Sequence, residues 1–132
     1  MKTSRTDGGW TLIELLVVLS IIMIMASLAM VQYRYSVTAA KEAALKSDLF
    51  LMRDSIDQYY ADKGKYPESI QTLVSEGYLR AVPKNPFDSA SEWVTTQATS
   101  TPGSSSADPG IYDVKSGYDA TALDGSHYQD WE

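Results

Sequence analysis

Gly8-Gly9-Trp10-Thr11-Leu12-Ile13-Glu14 runs without a break into an apolar stretch that ends near Val31. In front of it stands a short basic leader, Met1 to Gly9, carrying Lys2 and Arg5. About twenty residues of the apolar stretch read as a membrane span. Its one charged side chain, Glu14, lies near the start. An ionisable group at that depth is costly and marks a functional position, so the function turns on what Glu14 pairs with.

Two ordinary readings compete for the segment. A secretory signal peptide has a shorter apolar core followed by a small-residue cleavage site. Here the glycines precede the apolar run, and cleavage behind Ala26 or Ala29 leaves the acid and the glycine pair unexplained. A plain signal anchor accounts for the length and the basic leader. It accounts neither for Glu14 nor for the sharp polar-to-apolar switch at Gly9 and Trp10.

Gly9, Trp10, Thr11, Leu12, Ile13 and Glu14 resemble the processing site of the type IV pilin and type II secretion pseudopilin superfamily, which reads glycine, an aromatic or methionine, then Thr-Leu-Ile-Glu. The resemblance implies that a prepilin peptidase, a membrane aspartyl enzyme, cuts after Gly9 and methylates the new amine of Trp10. It also implies assembly of the subunits into a helical filament. Trp10 stands where phenylalanine is usual, and Met23 and Val31 stand where many members carry a helix-loosening Gly and Pro.

The chemistry of the motif is legible beside the resemblance. Cleavage at Gly9 creates an ammonium on Trp10, roughly 6 Å along a helix axis from Glu14 at about 1.5 Å per residue. In a bundle of such helices the ammonium of one subunit meets the carboxylate of another. Breaking a buried pair by removing one partner costs about 3–5 kcal/mol, so processing switches on a contact that sets register. Glu14→Ala or Glu14→Val is expected to spare cleavage and impair assembly.

Composition bounds the rest. The chain has 132 residues, room for one small domain beyond a long helix. It has no cysteine, so no disulfide staples the domain. A small extracytoplasmic domain of that kind often needs another staple, such as a metal or oligomerisation. Lys2 and Arg5 against Asp7 leave the leader at +1, so the remainder of the −6 chain carries −7. The leader charge places the N-terminus in the cytoplasm and the C-terminal part across the membrane. The acidic balance argues against nucleic acid, which wants a basic patch.

Between Ala39 and Tyr60 there is neither Gly nor Pro, and Leu45, Leu49, Met52, Ile56 and Tyr59 recur at spacings of 4, 3, 4 and 3. That pattern predicts an amphipathic helix packed against its own domain, with Lys41, Glu42, Lys46, Asp48, Arg53, Asp54 and Asp57 on the opposite face. Gly64 reads as its C-cap, with Pro67 beyond. A short helix is expected over about 68–76, stopped by Gly77. The loop that follows, Gly77-Tyr78-Leu79 and then Val82-Pro83-Lys84-Asn85-Pro86-Phe87, resembles the loop after the long helix in the major pseudopilins of type II secretion. It also reads as an ordinary connector. Trp93 to Thr96 and Gly110 to Val114 read as strands. The Ser-, Thr-, Pro- and Ala-rich stretch between them reads as an exposed loop.

From Asn85 to Glu132 there are eight acids and one base, Lys115. Closely spaced Asp with Gly and Ser supplies the oxygens that hard cations such as Ca²⁺ want, and the EF-hand spacing is absent. Major pseudopilins resemble this region, in that they carry a calcium loop in a Ser-x-Gly-x-Asp-Gly context near a C-terminal tryptophan. Ser116-Gly117-Tyr118-Asp119 and Trp131 fit that resemblance, while Ala120-Thr121-Ala122-Leu123 replaces the usual Gly-rich middle. The expected ligands are the side chains of Asp119 and Asp124 with the carbonyls of Ser116 and Ser126. A solvated acidic surface is the other reading. Under the calcium reading a chelator lowers the melting temperature, and Asp119→Ala removes that sensitivity.

No catalytic constellation is apparent. His127 with Ser and Asp nearby in sequence makes no triad, which is recognised by geometry, and an enzyme is not expected. The expected fold is α+β and pilin-like. Residues 1–9 form a leader and 10–33 a membrane and assembly helix. Residues 34–132 form a periplasmic domain: an amphipathic helix to about 63, a short helix and loop over 64–92, and a small antiparallel sheet with the acidic loop over 93–132. The expected function is a structural subunit of a type II secretion pseudopilus in the bacterial inner membrane, polymerised into a periplasmic filament that helps export folded proteins. Expected partners are further copies, the prepilin peptidase, minor pseudopilins and the inner-membrane assembly platform. Arg80 with Asp57 or Asp54 of a neighbour is a candidate inter-subunit charge pair. The alternatives are a type IV pilin for adhesion or motility, against which the absent cysteines weigh, and a membrane-anchored binding module that never polymerises.

Overall fold

The computed structural model describes residues 11–98 and 110–132. Its elements in chain order are helix α1 (Leu12–Lys63), helix α2 (Ile70–Ser75), strand β1 (Trp93–Gln97), strand β2 (Ile111–Ser116) and a 3₁₀ turn over Tyr128–Asp130. This is the expected α+β arrangement, a long N-terminal helix with a small antiparallel sheet. The chain divides between Val37 and Thr38 into two units, each described by itself.

In the first unit the α1 side chains from Leu12 to Val31 stay exposed, Leu12 at 80 % and Val31 at 71 %. By length and composition α1 has a window apolar enough to cross a membrane, and no part of that window is buried. Serine hydroxyls along this part of the helix are satisfied by the helix itself. Ser20, Ser27 and Ser36 each donate a hydroxyl to the carbonyl four residues earlier, at 2.8, 2.8 and 3.0 Å, which lowers the cost of placing a hydroxyl in lipid.

The second unit is built on the apolar stripe of α1. Leu45, Leu49, Met52, Ile56 and Tyr59 are all buried, and Leu73, Leu79, Ile111, Val114 and Tyr128 close over them. Gly64 ends the helix at φ 68°, its N–H returning to the Tyr60 carbonyl at 2.8 Å, the left-handed stop that glycine adopts without a Cβ penalty. Helix α2 is shorter than its expected span. Ser69 serves as its N-cap, accepting from Thr72 N–H at 3.3 Å, so Glu68 lies outside.

The sheet has two antiparallel strands, with Trp93 opposite Ser116, Thr95 opposite Val114 and a bulge between Thr96 and Gln97. β2 runs two residues past its expected end, because Lys115 and Ser116 pair with Val94 and Trp93. The proline-punctuated loop is fixed to the sheet through Asn85, only 4 % exposed. Its amide donates to Ser116 Oγ at 3.0 Å and its carbonyl oxygen accepts from Phe87 N–H at 3.0 Å. Trp93 Nε1 donates to the Pro83 carbonyl at 2.8 Å.

Candidate functional site

Gly9 and Trp10 lie outside the described residues. The motif becomes visible at Thr11, whose Oγ1 accepts the Glu14 N–H at 3.3 Å while its carbonyl accepts from Leu15 N–H at 3.2 Å. Thr11-Leu12-Ile13-Glu14 therefore opens the helix with the spacing of a capping box, a second role for Thr11 and Glu14 that the Thr-x-x-Glu pattern carries. The Glu14 side chain is exposed. No cation among the described residues pairs with it. Its partner has to come from residues before Thr11 or from another molecule.

Arg80 and Asp57 are both exposed, and neither makes an ion pair among the described residues. Asp54 accepts from Gln58 Nε2 at 2.7 Å. The chain leaves Arg80 and Asp57 available for contacts outside itself.

The acidic C-terminal segment folds into a tight turn. Thr121 and His127 form an isolated antiparallel bridge, Gly125 turns the chain at φ 86°, and Ala122 exchanges bonds with Ser126 O (2.7 Å) and Gly125 N–H (3.0 Å). Asp124 Oδ1 accepts both Ser126 Oγ–H (2.6 Å) and Ser126 N–H (2.9 Å). Those two bonds hold its carboxyl below the usual carboxylate range. Ser126 Oγ in turn accepts from Trp131 Nε1 at 2.7 Å.

Of the four residues expected to hold a cation, the hydrogen bonds bring two together, Asp124 and Ser126. Ser116 Oγ points to Asn85 and the Tyr118 N–H and is almost fully buried. Asp119 is exposed and faces His127, with Nδ1 3.7 Å from Oδ1. Among the described residues no three His, Asp or Glu side chains form a group that could hold a metal ion. Among the described residues no buried side-chain oxygen or nitrogen is left without a partner. The acidic side chains as they stand are too few in one place to supply the six to eight oxygens that Ca²⁺ takes.

What holds the segment is the helix. Glu42 Oε1 accepts from Leu123 N–H at 2.7 Å and from Tyr128 OH at 2.9 Å. Burial, and after it the bond to Glu42, pushes the Tyr128 hydroxyl up to about 12. One turn on, Lys46 Nζ sits 4.3 Å from the centroid of the Trp131 ring, a cation–π contact. Further along, Arg53 donates to Asp113 Oδ1 (2.7 Å), the Val114 carbonyl (2.9 Å) and the Trp131 carbonyl (3.0 Å). Beside these contacts runs a groove of about 680 Å³, whose walls include Phe50, Asp54 and Asp57 of the helix and Asp124, Asp130 and Glu132 of the C-terminal segment. Three residues expected on the face opposite the apolar stripe, Glu42, Lys46 and Arg53, fasten the C-terminus. The partners lie 60 to 86 residues downstream, and no local pattern announces them.

Residues 5–30 match the family model for the prokaryotic N-terminal methylation motif. The chain is similar to the type II secretion system core protein G of Klebsiella pneumoniae, 30 % identical over 101 residues covering 64 % of this chain and 72 % of the relative. It is also similar to the protein of that name from Escherichia coli K12, 27 % identical over 103 residues (66 % and 71 %), and from Vibrio cholerae, 26 % over 102 residues (66 % and 70 %). No solved structure matches.

Proposed function

We propose that this chain, which belongs to the type II secretion system core protein G family, is the structural subunit of a type II secretion pseudopilus. The observation that carries the reading is the methylation motif over residues 5–30, joined to a helix apolar enough to span a membrane. Cleavage after Gly9 releases the Trp10 amine, and the exposed carboxylate of Glu14 supplies its counter-charge in a neighbouring subunit. Polymerisation then buries the exposed face from Leu12 to Val31 against other copies and lipid. No catalytic role is proposed.

The remaining parts of the reading rest on the family and on charge. The peptidase, minor subunits and inner-membrane platform are the proposed partners. The leader charge supports a cytoplasmic N-terminus with residues 34–132 in the periplasm. Arg80, which lacks an ion-pair partner among the described residues, is proposed to meet Asp57 of a neighbouring subunit. Calcium at Asp119, Asp124, Ser116 and Ser126 has the acidic composition of the loop in its support. The hydrogen bonds of that loop favour another staple, argued below.

The test is the N-terminal mass of the protein recovered from membranes of cells that contain its own machinery. A chain starting at methylated Trp10 is the expected result. An intact leader overturns the reading in favour of a membrane-anchored module that does not polymerise.

A further inference from the structure

We infer that the C-terminal turn of this chain is locked by the carboxylate of Glu42 rather than by a bound cation. The inference holds whether or not the subunit polymerises, since every group in it belongs to one chain.

The polarity of the turn carries the argument. A cation site gathers oxygens around its centre. Here the turn presents two hydrogens to the helix, the Leu123 N–H and the Tyr128 O–H, and both converge on Glu42 Oε1 at 2.7 and 2.9 Å. Leu123 lies inside the turn closed by Thr121 and His127, and Tyr128 lies just past it. One anionic oxygen therefore pins both arms. Hydrogen bonds to an ionised acceptor are the strong ones, and Tyr128 is only 2 % exposed, so water competes poorly for its hydroxyl.

Several oxygens of the turn are meanwhile engaged inside it. Asp124 Oδ1 takes two bonds from Ser126. The Ser126 carbonyl takes the Ala122 N–H, and Ser126 Oγ takes the indole of Trp131. Lys46 on the Trp131 ring repeats the fastening one helical turn further along. An anion on the helix and donors on the turn thus do the cross-linking expected of a metal.

The experiment uses the full chain in detergent micelles and compares thermal melting and amide exchange with excess chelator and with millimolar Ca²⁺. The expected wild-type result is one melting midpoint under both conditions and a protected Leu123 amide under both. Glu42→Gln is expected to lower the midpoint by several degrees and to speed Leu123 exchange by about tenfold or more. Tyr128→Phe is expected to cost clearly less in the Glu42→Gln background than in the wild type, the mark of a shared contact. Should Glu42→Gln fail to fold, the wild-type exchange under chelator and the Tyr128→Phe melt still decide. A wild-type midpoint that rises with Ca²⁺, or Leu123 exchange that quickens under chelator, overturns the inference in favour of a cation. Leu123 exchange unchanged in Glu42→Gln overturns it as well.

Discussion

Arg53 Nε lies 2.7 Å from Asp113 Oδ1, joining the middle of helix α1 to strand β2 across sixty residues of sequence. Both side chains are about four-fifths buried. The same guanidinium also caps the carbonyls of Val114 and Trp131, so one side chain ties together helix, strand and C-terminus. Arg53→Met keeps the aliphatic stem but leaves Asp113 without its cation and two carbonyls without donors. The expected loss is about 2–4 kcal/mol, read as a drop in the thermal midpoint. Asp113→Asn, which keeps an acceptor for Arg53, is expected to cost less than half as much.

Gly117 and Gly64 are glycines for different reasons, and substitution separates them. A Cβ on Gly117 would meet the Glu92 carbonyl oxygen at 2.2 Å, which forces the start of β1 away from the end of β2. Gly64 has nothing within 4 Å but sits at φ 68°. Gly64→Ala should therefore cost only the left-handed penalty of about 1–2 kcal/mol. Gly117→Ala should cost more, and amide exchange should rise at Trp93 and Val94. Equal losses at the two sites would show that the backbones of 92 and 117 part without cost.

Glu14→Ala is expected to leave the N-terminal mass at that of the processed chain while filament yield, measured by sedimentation and negative-stain microscopy, falls at least about tenfold. Arg80→Asp and Asp57→Arg should each reduce yield, and the double swap should recover most of it. Filaments at wild-type yield from Glu14→Ala would remove the ammonium–carboxylate contact from the account of assembly.

Acid should loosen the loop before β1. Asp88 accepts the Ala90 N–H and the Ser91 hydroxyl at 2.9 Å each, which holds its carboxyl below the usual range. A folded-state value lower than the unfolded one near 3.9 contributes stability that is complete above the unfolded value. That contribution is lost as pH falls through the folded one. Exchange at Ala90 should accordingly rise below about pH 4, and Asp88→Asn should remove that pH dependence.

What could be read from the sequence was whatever repeats locally. The 4-3-4-3 stripe from Leu45 to Tyr59 marked the core face because helical periodicity is a property of neighbours in sequence. Gly64 marked the end of α1, while the N-cap at Ser69 made α2 shorter than the sequence suggested. The same periodicity placed Glu42, Lys46 and Arg53 on the face opposite that stripe. A side chain off the apolar stripe is exposed only until something else folds over it, and here residues 113–131 do so. The acidic count in that segment suggested a cation because composition shows charges without showing which atoms already have partners.

The order in which the chain emerges adds a consequence. Helix α1 is made early, yet the partners of Glu42, Lys46 and Arg53 all lie between Asp113 and Trp131. Contacts of such sequence separation form late and slowly. Until those residues have emerged, the helix carries an open polar face beside an uncovered apolar stripe, and the core from Leu45 to Tyr59 has no lid. The outer half of this subunit is therefore obliged to wait for its own far end, and any contact with a neighbouring copy through that half comes only after the wait is over.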